Sequence, residues 1–173
     1  MLGDGAPAWR AELEVTRELI ADDVRNNSAW NHRALAVRMM HCAQPCEGGV
    51  AGGGGRLRYD RSAPLPDAVL AEETEVAAAA VRKAPHAETG WCYLRGLYAP
   101  IGGRVALGAP GCPARALCLE ALGKDANNVH ALELLLDCEE ARGGATADGW
   151  RRLAEVDPMR ARYYDHRRRA ASC

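Results

Sequence analysis

Phenylalanine is absent from this chain of 173 residues, and aromatic residues of all kinds make up only 5% of it. Alanine, leucine and valine must therefore supply most of the core, and this composition favours helices over a sheet. Neither sign of charge is in clear excess, since the net charge is −1. The composition therefore gives no reason to expect nucleic acid as a partner.

Long apolar runs are missing as well. None approaches the roughly 18 residues that a membrane-spanning helix needs, so no membrane insertion is expected. The first eight residues are rich in glycine and proline and lack the apolar stretch of a signal peptide. We therefore expect a cytoplasmic protein in which residues 1–8 are a disordered lead.

The seven cysteines include no Cys-x-x-Cys pair. Their odd number and irregular spacing predict reduced thiols. His41, Cys42 and Cys46 lie close together in the sequence, but a structural zinc site needs four ligands in a tetrahedral array. Because these residues flank glycine-rich segments, we predict no metal site and expect the thiols to pack as small apolar groups or to lie in loops.

Helical periodicity is the pattern that the sequence does contain. Apolar residues recur at three- and four-residue steps from Trp9 to about Val24 and from Ala29 to about His41, with an Asn/Ser-rich turn between them. Thr89 is predicted to cap a later helix of the same kind. The pattern predicts four helical hairpins, which lie at about residues 9–41, 67–97, 114–141 and 148–170.

Glycine and proline concentrate between the hairpins, at residues 42–66 and 99–113. The glycine run at 52–55 lacks the Gly-Lys-Ser/Thr ending of a phosphate-binding loop. We interpret both segments as flexible insertions in a helical region that runs from residue 9 to residue 170.

The four hairpins share one register. A large residue occupies the same position in each, and an acidic residue stands seven positions before it in three of the four. Without the insertions, the unit is roughly 35 residues long, which is typical of a helical solenoid. The sequence therefore predicts an all-α fold, a right-handed αα-superhelix of about four hairpins. The repeat-core residues are Trp30, Trp91, Leu132 and Tyr164.

Polar residues beside these core positions are the candidate functional residues. They either face a partner or connect adjacent repeats, and we expect Arg33 to pair with an acidic residue such as Asp23. A diphosphate-binding role for Arg25 is an open alternative. The arginine-rich segment 160–169 is interpreted as a solvated closing helix or as a rim that contacts an acidic partner. The candidate residues are Arg25, Asn26, Asn31, His32, Arg33, Tyr163, His166 and Arg167.

Three segments resemble the repeats of protein prenyltransferase alpha subunits, in the order in which that family has them. Residues 23–33 read Asp-Val-Arg-Asn-Asn-Ser-Ala-Trp-Asn-His-Arg, residues 85–96 resemble the repeat Pro-His-Asn-Glu-Ser-x-Trp-x-Tyr-x-x-Gly, and residues 157–167 resemble the closing segment Asp-x-Ile-Arg-x-x-Tyr-Trp-x-x-Arg. The resemblance covers residues 9–170 and is greatest to the alpha subunits shared by farnesyltransferase and type-1 geranylgeranyltransferase.

This resemblance implies a crescent of hairpins that wraps a beta subunit. In such enzymes the beta subunit holds the zinc, the farnesyl reaction also needs magnesium, and the complex takes an isoprenoid diphosphate and a CaaX protein. The family's Lys-Asn-Tyr triplet is replaced here by Arg25-Asn26-Asn27. No catalytic residue and no cofactor is therefore assigned to this chain, which is similar to the C-terminal part of such a subunit.

The implied function is that of a scaffold for the beta subunit, inactive alone. A helical-repeat interaction module without a catalytic role is the main alternative. The alpha subunit of Rab-type geranylgeranyltransferase is a second alternative, and the ending at residues 157–164, Asp-Pro-Met-Arg-x-x-Tyr-Tyr, argues against it.

Overall fold

The computed structural model describes residues 6–45, 57–59, 63–98 and 107–171. Within these residues the chain forms four helical hairpins and one pair of short strands, so the all-α prediction is confirmed. The helices are α1 (Ala6–Asp22), α2 (Asn27–Cys42), α3 (Asp67–Lys83), α4 (Glu88–Tyr98), α5 (Pro113–Lys124), α6 (Val129–Ala141), α7 (Ala147–Val156) and α8 (Ala161–Ala170). The strands are β1 (Ala43–Pro45) and β2 (Leu57–Tyr59), and a 3-10 turn, Pro158–Arg160, precedes α8.

The first helix begins earlier than the sequence pattern indicates. It starts at Ala6, so the last three residues of the predicted lead are helical, and residues 1–5 lie outside the described part. The described parts of the predicted insertions are ordered. β1 pairs antiparallel with β2, and Leu65 and Leu107 are buried. The rest of the two insertions, at residues 46–56, 60–62 and 99–106, lies outside the described residues.

All four hairpins turn in the same way. In each one, a backbone N–H donates to the carbonyl of the residue three positions earlier, between the two helices. The four bonds join Asn26 to Asp23, Ala87 to Ala84, Asn128 to Asp125 and Arg160 to Asp157, at 3.0–3.2 Å. The residues that accept are the ones that stand seven positions before the repeat-core residues. The shared sequence register therefore corresponds to a shared backbone turn.

Asparagine starts the second helix of two hairpins. The side chains of Asn26 and Asn128 accept hydrogen bonds from the N–H groups of Ala29 and Ala131, which satisfies donors that a helix leaves free at its first turn. The predicted cap at Thr89 is wrong. Helix α4 begins at Glu88, and the Thr89 hydroxyl donates instead to a carbonyl of the preceding hairpin.

The hairpins stack mainly through their second helices. α2 packs on α4 and α4 packs on α6, while the first helices α3 and α5 also touch. The last hairpin attaches differently, since it packs through α7 on α6. The buried residues accordingly form two clusters. The larger extends from α1 to α6, and the smaller contains Leu132, Trp150, Leu153 and Tyr164.

Candidate functional site

The repeat-core residues lie where consecutive helices meet. Trp30 and Trp91 are buried, and each indole N–H donates to the carbonyl of the residue six positions earlier, Val24 at 2.8 Å and Pro85 at 2.9 Å. Each indole therefore satisfies its polar atom within its own turn while its apolar surface packs in the core. Leu132 and Tyr164 occupy the equivalent positions and are buried as well.

The same turn carbonyls also bind the next hairpin. The carbonyl of Val24 accepts from the Thr89 hydroxyl at 2.8 Å, and that of Pro85 accepts from Nδ2 of Asn128 at 2.8 Å. In the third hairpin, the equivalent carbonyl of Ala126 accepts from Nη2 of Arg152 at 2.7 Å. We call these three bonds the carbonyl ladder. The ladder fixes each of these three turns relative to the next hairpin.

Arg33 joins the first hairpin to the second by a buried ion pair. Its Nε and Nη2 atoms donate to the two carboxylate oxygens of Glu73 on α3, both at 2.7 Å, and Nη1 donates to the carbonyl of Leu13 on α1 at 3.3 Å. The expected pairing of Arg33 with an acidic residue of its own or a neighbouring hairpin is confirmed, but the partner is Glu73 and not the example Asp23. That carboxylate instead accepts from the backbone N–H of Arg25 at 2.9 Å. Arg33 and Glu73 are only 1% and 4% exposed in their side chains.

The electrostatics of this pair follow from burial and close contact. Burial opposes the charged guanidinium, but the hydrogen bond and the charge of Glu73 outweigh it and raise the pKa of Arg33. The Tyr93 hydroxyl donates to the same carboxylate. Burial, and then the Glu73 charge, raise the pKa of Tyr93, so its phenol stays protonated and remains a donor. The arrangement fixes the positions of the two charged groups. Arg33 and Glu73 are too buried to reach a substrate.

The other candidates near Trp30 have different surroundings. Arg25 is exposed, Asn26 caps α2, and Asn31 is exposed on α2. His32 is half-buried, with its Nε2 atom 2.8 Å from Glu12 on α1. Among these residues, only the pair formed by His32 adds a further tie between helices. The side chains of Arg25 and Asn31 are available at the surface.

A second polar network surrounds the candidates in the closing helix. The guanidinium of Arg167 lies 4.2 Å over the Trp150 ring, and its Nη2 atom donates to Asp137 at 2.7 Å and to Glu140 at 2.8 Å. Tyr163 accepts a hydrogen bond from Arg167 at 3.0 Å, while His166 is exposed. The closing helix is therefore tied to α6 and α7 through its arginines. The prediction of a solvated closing helix holds for His166 and is wrong for Arg167.

The acidic partners in both networks are residues that the sequence pattern did not single out. Glu73, Asp137 and Glu140 come from helices whose other inward positions are mostly apolar. The sequence signal that could have identified them is a carboxylate at a core position of an amphipathic helix. A buried carboxylate needs a cationic or hydrogen-bonding partner.

An open groove lies between α2 and α4. Its volume is about 240 Å³, and its floor is made of aromatic and aliphatic side chains such as Trp30, Val37 and Leu97. Polar groups stand around it, among them Asn27, Asn31 and Thr89. An apolar floor with a polar rim is the usual composition of a surface that binds another protein. We call this surface the α2–α4 groove.

The described residues contain neither a cluster of metal-binding side chains nor a membrane-spanning helix. Residues 6–45, 57–59, 63–98 and 107–171 contain no group of three or more His, Cys, Asp or Glu side chains placed to hold a metal ion. Cys46, one of the three residues considered for zinc, lies outside them. Among the helices of the same ranges, none combines the length and the apolar character needed to cross a bilayer.

Comparison with known proteins identifies relatives with the same repeat. Residues 9–40, which span most of the first hairpin, match the family described as the protein prenyltransferase alpha subunit repeat. The chain is 30% identical over 129 residues to the protein farnesyltransferase/geranylgeranyltransferase type-1 subunit alpha of Pisum sativum, covering 75% of this chain and 32% of that protein. It is 29% identical over 90 residues to the protein of the same name from Dictyostelium discoideum, covering 52% of this chain and 22% of that protein.

The matched part of this chain thus spans no more than a third of the length of either curated relative. The repeat match contains Trp30 and Arg33, the residues that form the joint between the first two hairpins. The resemblance to the protein prenyltransferase alpha-subunit repeat family is therefore confirmed.

Proposed function

We propose, from the premise that the chain carries the repeat of protein prenyltransferase alpha subunits, that it is such a subunit or its C-terminal part. The complex would transfer a farnesyl or geranylgeranyl group to the cysteine of CaaX proteins. The observation that carries the proposal is the match of the first hairpin to the family repeat. The relative from Pisum sativum, named as a type-1 alpha subunit, supports it along three quarters of the chain.

Within that complex we assign this chain the role of a scaffold for the beta subunit. Two of the most distinctive polar residues of the repeats, Arg33 and Arg167, are occupied by contacts within the chain. These contacts hold helices in position, so the two arginine side chains are not free to bind a diphosphate. We therefore expect the chain alone to be inactive, with the isoprenoid and CaaX sites formed mainly by the partner.

We assign the metal site to the beta subunit of the partnered enzyme, because the side chains that the structure describes in this chain do not form one. In the described parts of this chain the possible donors do not converge on one point, and Cys112, Cys118 and Cys138 are buried in the helical core. Zinc would activate the CaaX thiol as a thiolate when bound in the partner. The contribution of this chain would be to hold the partner's site in place.

The α2–α4 groove is the surface that we assign to the beta subunit. Its two walls are second helices of consecutive hairpins, which the carbonyl ladder and the Arg33–Glu73 pair hold in a fixed relation. Because the groove is already rigid, binding a partner does not carry the entropic cost of ordering the groove. Exposed groups on both walls, such as Asn31 and Cys92, are placed to contact what enters.

Two glycines make a matched test of this assignment. Gly96 on α4 lines the groove, Gly123 on α5 lies outside it, both are exposed, and neither has an atom within 4 Å of where a Cβ would stand. Each chain would be co-expressed with a tagged farnesyltransferase beta subunit and the two recovered together. We expect Gly96→Arg to reduce recovery at least tenfold and Gly123→Arg to leave it unchanged.

Circular dichroism checks that both variants keep their helices, and transfer of farnesyl to a CaaX peptide is measured on each complex. For the unmodified chain, binding without turnover would support the assignment as the C-terminal part of such a subunit, and binding with turnover would support the assignment as a subunit of an active complex. Equal recovery of both variants would contradict the groove assignment alone. Failure of the folded, unmodified chain to bind any prenyltransferase beta subunit would contradict the subunit assignment and would favour the helical-repeat interaction module.

A further inference from the structure

Large apolar side chains are exposed mainly at two places, the first helix and the last hairpin. Among the described residues, five such side chains are exposed: Val15, Leu19, Leu119, Met159 and Tyr163. Two of them lie on α1, and two lie in the turn before α8 and in α8 itself. Exposed apolar residues that gather in this way mark a surface that binds another molecule.

The outward side of α1 carries an apolar stripe beside an acidic one. Thr16 and Ile20 are buried on the inward side of the helix, which packs on α2. On the other side, exposed residues of each kind recur at every fourth position, so that each kind forms one stripe along the helix. The apolar stripe is Ala11, Val15 and Leu19, and the acidic stripe is Glu14, Glu18 and Asp22. We call this surface the α1 face.

The outward side of α8 combines apolar and basic residues. Tyr164 is buried on the inward side of this helix. The exposed residues follow one another at three- and four-residue steps and therefore lie on one side of the helix. The most exposed is Met159, in the turn that leads into α8, with 97% of its surface accessible. We call this surface the α8 face, and it consists of Met159, Arg162, Tyr163, His166 and Arg169.

The two faces carry opposite charge. Helix α1 contains four acidic and two basic residues, whereas α8 contains four arginines and one aspartate. Two residues of the minority sign are paired along their own helix, since Arg17 lies 3.3 Å from Glu14 and Asp165 lies 3.4 Å from Arg168. The α1 face is therefore acidic and the α8 face basic, each beside exposed apolar side chains. Surfaces that bind each other have complementary charge of this kind.

The two faces belong to hairpins at opposite ends of the stack. Contacts between the described helices run from α1 to α2, from α2 to α4, from α4 to α6 and from α6 to α7, with the second and third hairpins between the two faces. Each face therefore needs a second molecule as its partner. A terminal repeat that only closes a solenoid has a polar outer face, and the apolar residues on both faces here indicate binding instead.

We propose that the α1 face of one molecule binds the α8 face of a second copy of this chain, head to tail. The acidic partner of the arginine-rich closing helix is then the first helix of the next molecule. Because the contact joins unlike surfaces, each pair retains one further α1 face and one further α8 face, and the assembly either grows or closes into a ring. The proposal does not depend on the proposed function, since the α2–α4 groove lies on other helices.

The test measures the mass of the complete chain by sedimentation velocity over a range of concentrations. A contact between single helices is small, so we expect weak association that increases with concentration and decreases with added salt, which screens the charges. Val15→Arg and Arg162→Glu, one on each face, should each raise the dissociation constant at least tenfold. Leu119→Arg is the matched control, because Leu119 is 46% exposed, close to the 49% of Val15, but lies on α5. It should leave the dissociation constant unchanged.

A mixture of the two variants tests the head-to-tail arrangement. The Val15→Arg chain keeps its natural α8 face, and the Arg162→Glu chain keeps its natural α1 face. Neither variant should associate alone, and an equimolar mixture should associate with the dissociation constant of the unmodified chain. Circular dichroism checks that every variant keeps its helices.

Three results would overturn the proposal. The first is an unmodified chain that stays monomeric at every concentration. The second is a mixture of the two folded variants that stays monomeric, or a loss of association in Leu119→Arg equal to that in Val15→Arg. The third is a tenfold loss in recovery of a tagged farnesyltransferase beta subunit by the Val15→Arg chain, because the α1 face would then belong to that subunit.

Discussion

Arg33 shows how a single residue can connect two repeats. Its guanidinium is desolvated, and the bidentate contact with Glu73 compensates for that cost only while both partners are present. Tyr93 adds a third group from α4, so α2, α3 and α4 meet at one carboxylate. The residue therefore acts as a structural joint between hairpins.

Replacing one member of this pair should be strongly destabilising. We expect Arg33→Met to lower the free energy of unfolding by about 3–5 kcal/mol, because Glu73 would remain buried without its cation. Urea denaturation followed by circular dichroism measures the change. The double variant Arg33→Met/Glu73→Leu should recover much of the loss.

The exposed pair formed by Arg82 and Glu120 is the control for this experiment. It joins α3 to α5 with an N···O distance of 3.1 Å, but solvent surrounds both side chains. Arg82→Met should leave the denaturation midpoint within error of the original chain, because exposed pairs contribute little. A similar decrease in the free energy of unfolding in Arg33→Met and Arg82→Met would show that burial of the ion pair does not determine the effect.

At the scale of helices, Glu140 holds three elements together. Its carboxylate on α6 accepts from the Trp150 indole of α7 at 2.6 Å, from Arg167 of α8 at 2.8 Å, and from Thr146 at 3.1 Å. Burial alone would raise the pKa of this carboxyl, but these hydrogen bonds and the Arg167 charge outweigh it and lower the pKa of Glu140. Only the ionised form accepts from all three donors.

The lowered pKa of Glu140 predicts an acid-sensitive packing of the last hairpin. In the unfolded chain the pKa of this carboxyl is about 4.3. Its contribution to stability should be complete above that pH and should be lost as the pH falls through the lower folded-state value. Denaturation midpoints measured from pH 7 to pH 2 should fall less steeply in Glu140→Gln than in the original chain. A Glu140→Gln curve parallel to that of the original chain, or the same flattening in the exposed Glu18→Gln, would contradict this assignment.

Most of the elements could be predicted from the sequence, because local rules produce them. Apolar residues at helical spacing gave the eight helices, and the acidic residues at 23, 125 and 157 marked three of the four turns. Helix starts were less certain, since Thr89 has the chemistry of a cap but binds the neighbouring hairpin. A threonine hydroxyl can serve either purpose, and only the stacking of hairpins decides which.

Partners far apart in the chain were beyond this kind of prediction. Glu73 follows Arg33 by 40 positions, and nothing in the local sequence of either residue selects the other over Asp23. Local patterns therefore fix the repeats, while the pairing between repeats follows from their stacking.

At the scale of the whole molecule, the two separate buried clusters indicate that the hairpins differ in their local stability. Hairpins that touch only their neighbours open in partly independent units. The last hairpin contributes most of the smaller cluster around Trp150, and α6 connects it to the larger one. We infer that α7 and α8 can open while α1 to α4 remain folded.

Two tryptophan variants test this independence through amide hydrogen exchange. Each substitution removes a buried indole and should cost about 3–5 kcal/mol where it acts. Trp150→Ala should accelerate exchange in α7 and α8 and leave α1 and α2 protected, whereas Trp30→Ala should accelerate exchange in α1 to α4. Uniform acceleration along the whole chain in both variants would show one cooperative unit instead.

The carbonyl ladder has a consequence for how this architecture tolerates changes in chain length. Every bond of the ladder starts and ends within a hairpin, at its turn or on one of its helices, and none involves the segments that join one hairpin to the next. Residues added to those joining segments leave each donor and acceptor in place. The sequence carries its glycine-rich additions at 42–66 and 99–113, in the connections between hairpins. A lineage can thus lengthen this protein between repeats without altering the spacing that holds them together.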